Sequence, residues 1–121
     1  MTKGHVIGLQ AKVVIPFRLP DKPDVGIEFV VDTGFEGALT LPPAAVEALA
    51  LPYFEPTNAI LADNTAVRID GYVASIVWDR VNMDVLVLAM GKRPLLGTAL
   101  LAGKELVAQF VDDGIVTVDD L

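Results

Sequence analysis

The chain has 121 residues, 53% of them hydrophobic and 21% charged, with a formal net charge of −7. That size supports one core in a single domain, residues 1–121, and is too short for two full lobes. The negative charge disfavours nucleic acid and anionic lipid, no apolar run reaches the roughly 20 residues of a membrane-spanning helix, and the lack of cysteine excludes disulfides, thiolate nucleophiles and Cys-based metal sites.

From Ile7 to Phe17 alternate residues are apolar (Ile7, Leu9, Ala11, Val13, Ile15, Phe17), which predicts one long strand or two short ones with a bend at Gly8. Pro20-Asp21-Lys22-Pro23-Asp24 predicts a turn. Val25, Ile27, Phe29 and Val31 share one face of the next strand, which runs into Asp32. Pro42-Pro43 opens a short helix that Pro52 ends. Asn58 to Leu61 and Val67 to Ile69 flank Ala62-Asp63-Asn64-Thr65-Ala66, a hairpin signal. Tyr72 to Trp78 and Val81 to Met90 predict a strand pair turning at Asp79-Arg80, and Gly91 to Pro94 breaks it. Leu95-Leu96-Gly97 is expected to lead into a second short helix from Thr98 to about Leu106. Val107 to Val111, a turn at Asp112-Asp113-Gly114, and Ile115 to Val118 complete an all-β domain with two short helices.

Mean hydropathy of +0.53 makes the chain oily for its size, and the surplus is expected at a subunit interface. The single histidine, His5, cannot build a metal cluster and is expected on the surface or in a strand. Lys3 and His5 precede no apolar block with a cleavage site, so no signal peptide is expected and the cytoplasm is the expected location.

One carboxylate stands out. In Phe29-Val30-Val31-Asp32-Thr33-Gly34 an acid ends an otherwise apolar strand, where a carboxylate must be paired, hydrogen-bonded or protonated. Thr33 brings a hydroxyl and Gly34 a backbone free to turn sharply. The other acidic clusters, Asp70-Gly71 and Asp112-Asp113-Gly114, lack that approach and are expected to be turns.

Three landmarks in this order resemble the retropepsin-type aspartic proteases, in particular their small prokaryotic relatives: Val31-Asp32-Thr33-Gly34, the hairpin around Ala62 to Ala66, and Leu95-Leu96-Gly97 followed by Leu100-Leu101. The resemblance spans about Val13 to Val118. It implies a closed acid-protease barrel with one lobe per chain, and an aspartic endopeptidase that cleaves a peptide or protein substrate without metal or cofactor. Asp32 is then the catalytic acid, supported by Thr33 and Gly34, while Phe35, Ala62, Asp63 and Asn64 border the substrate. Leu96 and Gly97 form the structural loop behind it.

Such chemistry needs two carboxylates sharing a proton, one as general base on a water and the other donating to the scissile carbonyl. This chain offers one, so the resemblance implies a homodimer with an Asp32 from each copy. Because a shared proton is lost as pH rises, activity is expected to peak at acidic or near-neutral pH and to fall in base. Two departures stand against the family pattern. Phe35 replaces a usually small residue, and Thr98 stands where the retroviral enzymes carry an Arg that pairs with the acid kept here as Glu36. These feed an alternative, a catalytically inactive dimeric β-domain that binds a peptide or partner protein. A hydrolase pairing Asp32 with Glu28 or Asp63 inside one subunit is the third reading; Glu28 is expected to face solvent and Asp63 to be a solvated turn residue.

Overall fold

Gly8 and Leu9 both take positive φ, 58° and 61°, and fold the first alternating run back on itself. Two central residues at positive φ match the right-handed twist of the flanking strands in a type I′ hairpin turn. The result is β1 (Thr2–Ile7) paired with β2 (Gln10–Arg18), in register from Gly4↔Val13 to Ile7↔Gln10. Of the two strand options left open by the sequence, the chain takes the pair, which leaves Ile7 and Leu9 exposed beside the turn. The computed structural model describes residues 1–60 and 63–121.

The remaining elements are β3 (Val25–Val31), β4 (Leu39–Leu41), α1 (Pro43–Ala48), β5 (Tyr53–Ile60), β6 (Ala66–Trp78), β7 (Val81–Ala89), β8 (Leu95–Leu96), a 3₁₀ turn at Thr98–Leu100, β9 (Lys104–Ala108) and β10 (Ile115–Asp120). Among the described residues the ten strands belong to one sheet in the order β5-β6-β7-β4-β8-β3-β2-β1-β10-β9, with a further pairing of β2 to β6. The domain is therefore mainly β. Asp79 and Arg80, at φ 46° and 71°, make a second turn of the same kind between Trp78 and Val81. Among the described residues, no helix is long and apolar enough to cross a membrane.

Alternation places Val13, Ile15 and Phe17 of β2 and Phe29 of β3 in the core, fully buried. The Phe17 and Phe29 rings stack with centroids 5.8 Å apart. Leu39, Leu41, Ile76, Val87, Leu96, Val116 and Val118 close around them. Removing seven such side chains from water supplies the dominant favourable term of folding, at about 1.5–3 kcal/mol each. Trp78 is buried too, and its indole N–H donates to the Leu100 carbonyl at 2.9 Å, tying β6 to the 3₁₀ turn.

Three sequence expectations are corrected. The helix from Thr98 to Leu106 is only a 3₁₀ turn at Thr98–Leu100 capped by Leu101; the chain then turns through Gly103 at φ 76°, and Lys104–Ala108 pairs with β10 instead. The spacing of Leu100, Leu101 and Leu106 fits a helix, but the edge of β10 offers every residue from Lys104 a ladder partner. Asp70-Gly71 is no turn. It lies inside β6, paired with Pro56 and Glu55, and Gly71 is needed because a Cβ there would stand 2.9 Å from the Glu55 carbonyl oxygen. The strand expected from Val107 to Val111 runs instead as β9, Lys104–Ala108.

Candidate active site

Four elements meet where β3 ends. The two-residue β8 lies between β3 and β4, parallel to β3 (Val31↔Leu96) and antiparallel to β4 (Leu39↔Leu96). The loop of residues 32–38 must therefore bridge across β8. Thr40 is buried, and its Oγ1 accepts the Leu95 N–H at 3.1 Å, replacing a ladder partner that the backbone cannot supply.

The loop is held from both sides. Asp32 N–H donates to the Leu96 carbonyl at 2.9 Å, and Phe35 N–H donates to the Asp32 carbonyl at 3.1 Å. On the return, Gly97 N–H donates to Ala38 at 2.8 Å, Thr98 N–H to Phe35 at 2.8 Å and Ala99 N–H to Gly37 at 3.2 Å. Thr98 Oγ1 adds a longer bond of 3.3 Å to the same Phe35 carbonyl. Thr98 thus binds the Phe35 carbonyl through both its backbone and its side chain.

Asp32 itself is half-buried, while Thr33 and Gly34 are exposed. Its Oδ1 accepts the Gly34 N–H at 2.9 Å, which fixes the carboxylate plane against the turn. A Cβ on Gly34 would lie 3.2 Å from that oxygen, closer than ordinary van der Waals contact. The Phe35 ring folds over its own loop: a Cβ added to Gly37 would meet it at 2.5 Å, and one added to Gly97 would meet it at the same distance. The two glycines make the ring's seat.

The other residues singled out in the sequence lie apart. Asp63 Oδ1 accepts the Thr65 N–H at 2.9 Å, and Asn64 sits at φ 66°, so this is a tight local turn. The Thr65 bond lowers the Asp63 pKa. Ala62 lies outside the described residues. Glu28 is exposed on β3 and faces Lys12 at 3.6 Å. Among the described residues, no hydrogen bond joins Asp32 to Asp63, Asn64 or Glu28. His5 is exposed on β1.

Two shallow clefts flank the end of β3. One is lined by Lys12, Glu28, Val30 and Arg93. The other, apolar and adjoining the Asp32 loop through Thr33, is lined by Leu9, Ala11, Val31, Leu106, Ala108 and Phe110.

A polar centre escaped the sequence reading. Asp79 was legible as a turn residue, yet its side chain is only 4% exposed and accepts from Lys104 Nζ at 3.0 Å, from Thr2 Oγ1 at 3.0 Å and from the Met1 amine at 3.0 Å. Lys104 also reaches Asp120 at 2.7 Å. The Lys104 ammonium first, then the terminal amine and the Thr2 hydroxyl, hold the Asp79 carboxyl down at about 2. Comparison with family models and with curated proteins finds no match for this chain.

Proposed function

We propose that the chain is one half of an aspartic endopeptidase, a homodimer in which the Asp32 carboxylates of two copies meet, share a proton and activate a water on an extended peptide. The observation that carries this reading is the double anchoring of the Asp32 loop. The acid stands at the end of a core strand, its amide is tied to Leu96 and its carboxylate to Gly34, and the side chain stays partly open to solvent. A rigid, accessible carboxylate is what general base chemistry on water requires.

The surrounding architecture supports the same reading. The extra pairing of β2 with β6, at Phe17↔Ile76 and Arg18↔Ser75, is in keeping with a closed-barrel lobe. The long β5–β6 hairpin, with Asp63 and Asn64 at its tip, suits a flap over a bound peptide that adds main-chain hydrogen bonds. Thr33, exposed beside the acid, is available to bond the partner copy's loop.

The deciding experiment is peptide-library digestion across pH with wild type and Asp32→Asn, together with a transition-state-analogue inhibitor of acid proteases. Cleavage by wild type that the inhibitor blocks and Asp32→Asn lacks is the expected result. Retained cleavage by a clean preparation of the variant, or a strictly monomeric active protein in light scattering, overturns the proposal. Unchanged peptide binding without turnover in both proteins would identify a binding domain instead.

A further inference from the structure

We propose that the outer edge of β9 is the seam at which two copies join, its strands running antiparallel about a two-fold axis at Val107. Choosing a second copy as occupant rests on the dyad reading above, because one chain holds one such carboxylate and the apolar cleft beside β9 runs directly to Thr33. The seam itself is argued from the backbone.

Among the described residues β9 pairs only with β10, so its other side is a free edge. Bonds of Gln109 N–H to Ile115 and of Leu121 N–H to Gly103 show that odd-numbered residues face β10. By the period of two, Leu106 and Ala108 direct their N–H and C=O groups outward. An exposed strand edge of this kind is a template for another strand unless it is blocked. Here no proline, bulge or inward charge blocks the stretch from Leu106 to Ala108.

Two identical edges related by a two-fold axis are necessarily antiparallel. Full hydrogen bonding requires outward-facing residues to oppose one another, which permits any centre from Glu105 to Gln109. A centre at Leu106 sets Ala108 against Lys104, whose N–H is already donated to the Leu101 carbonyl at 3.0 Å, and a centre at Ala108 sets Leu106 against Phe110, beyond the end of β9. A centre at Glu105 sets two carboxylates face to face, which is destabilising. A centre at Gln109 runs past the end of β9 into the loop. The Val107 centre pairs Leu106 with the second copy's Ala108, puts Glu105 opposite Gln109, and buries Val107 (48% exposed in one chain) against its own copy. Leu106 and Ala108 face the apolar cleft, so the same contact covers it.

Residues facing each other across a non-hydrogen-bonded antiparallel pair have Cα atoms about 4.5 Å apart, within reach of a disulfide. The chain has no cysteine of its own. Val107→Cys treated with diamide is therefore expected to give a covalent dimer, while Val81→Cys, equally exposed at the β6–β7 turn, is not. Val107→Glu and Val107→Lys, each confirmed folded by circular dichroism, should self-associate roughly tenfold or more weakly than wild type, and mixing the two should restore association. If wild type dimerises but Val107→Cys cross-links no faster than Val81→Cys and Val107→Glu associates normally, the seam lies elsewhere, and the Asp32 dyad is untouched. If wild type is monomeric at every concentration, both proposals fall. A monomer whose β9 edge takes up an extended peptide replaces the second copy as occupant and overturns this one.

Discussion

Asp32 and Leu96 are joined by a single backbone hydrogen bond of 2.9 Å that spans 64 positions of sequence and sets the acid at the end of the parallel β3–β8 pair. The return brace on the loop, from Gly97, Thr98 and Ala99, depends on the chain after Leu96 staying close to it. Gly97 is the residue that permits this, because a Cβ there would run into the Gly37 carbonyl oxygen and stand 2.6 Å from the Phe35 carbonyl oxygen and 2.5 Å from the Phe35 ring.

Gly97→Ala is accordingly expected to destabilise the fold by about 1–3 kcal/mol, the usual cost of forcing atoms into a packed site. Adding Phe35→Ala removes the ring but leaves the carbonyl, so the double variant should recover only part of the loss. Urea denaturation midpoints of the two variants and wild type check this. Full recovery would mean that the ring, rather than the backbone, sets the approach.

Thr40→Val keeps the shape of a buried side chain and deletes the acceptor for the Leu95 N–H. An unpaired buried donor costs about 1–3 kcal/mol, so a change that alters no volume should lower stability by that amount. Thr40→Ser keeps the oxygen and should lie closer to wild type. Chemical denaturation of both variants reads the difference directly.

How much of this was legible follows from the range of each interaction. Strands β2, β3, β6 and β7 announce themselves because one face of each is buried and period-two alternation records it. Asp32 was legible because a carboxylate after three apolar residues is an anomaly that its immediate neighbours expose. Gly97 was placed behind the acid only by the resemblance, and the bond from Thr98 was not legible at all, since it joins segments that only the β8 insertion brings together. Nor was β5 in full: an edge strand exposed on both faces, as Tyr53 to Pro56 are, has no alternation to read. The helix expected after Thr98 failed for a related reason, because leucine spacing records burial but not which element performs it. Asp79 shows the same limit, as a turn residue by sequence whose carboxylate is buried by partners at both ends of the chain.

On the proposed endopeptidase reading, Asp32→Asn should leave fold and assembly intact and lower peptide cleavage by roughly 10²–10⁴-fold, the usual contribution of a general acid–base group. The substitution keeps the Oδ1 acceptor for Gly34 N–H, so thermal unfolding is expected to match wild type. Digestion assays and melting curves on the same preparations separate loss of chemistry from loss of structure.

Asp79 gives the acid limb of stability. Its carboxyl is held at about 2 against an ordinary value of 3.8, by Lys104 first and the terminal amine second. A carboxyl depressed in the folded state stabilises above the unfolded value, and the contribution disappears as pH falls through the folded one. The stabilisation, about 2 kcal/mol, is thus fully present above pH 4 and lost between pH 4 and pH 2. Asp79→Asn should be less stable than wild type by about that amount at neutral pH, and the two should converge as pH approaches 2. Urea titrations at several pH values test the convergence; a gap that stays constant down to pH 2 would show that the hub acts through its hydrogen bonds and not its charge.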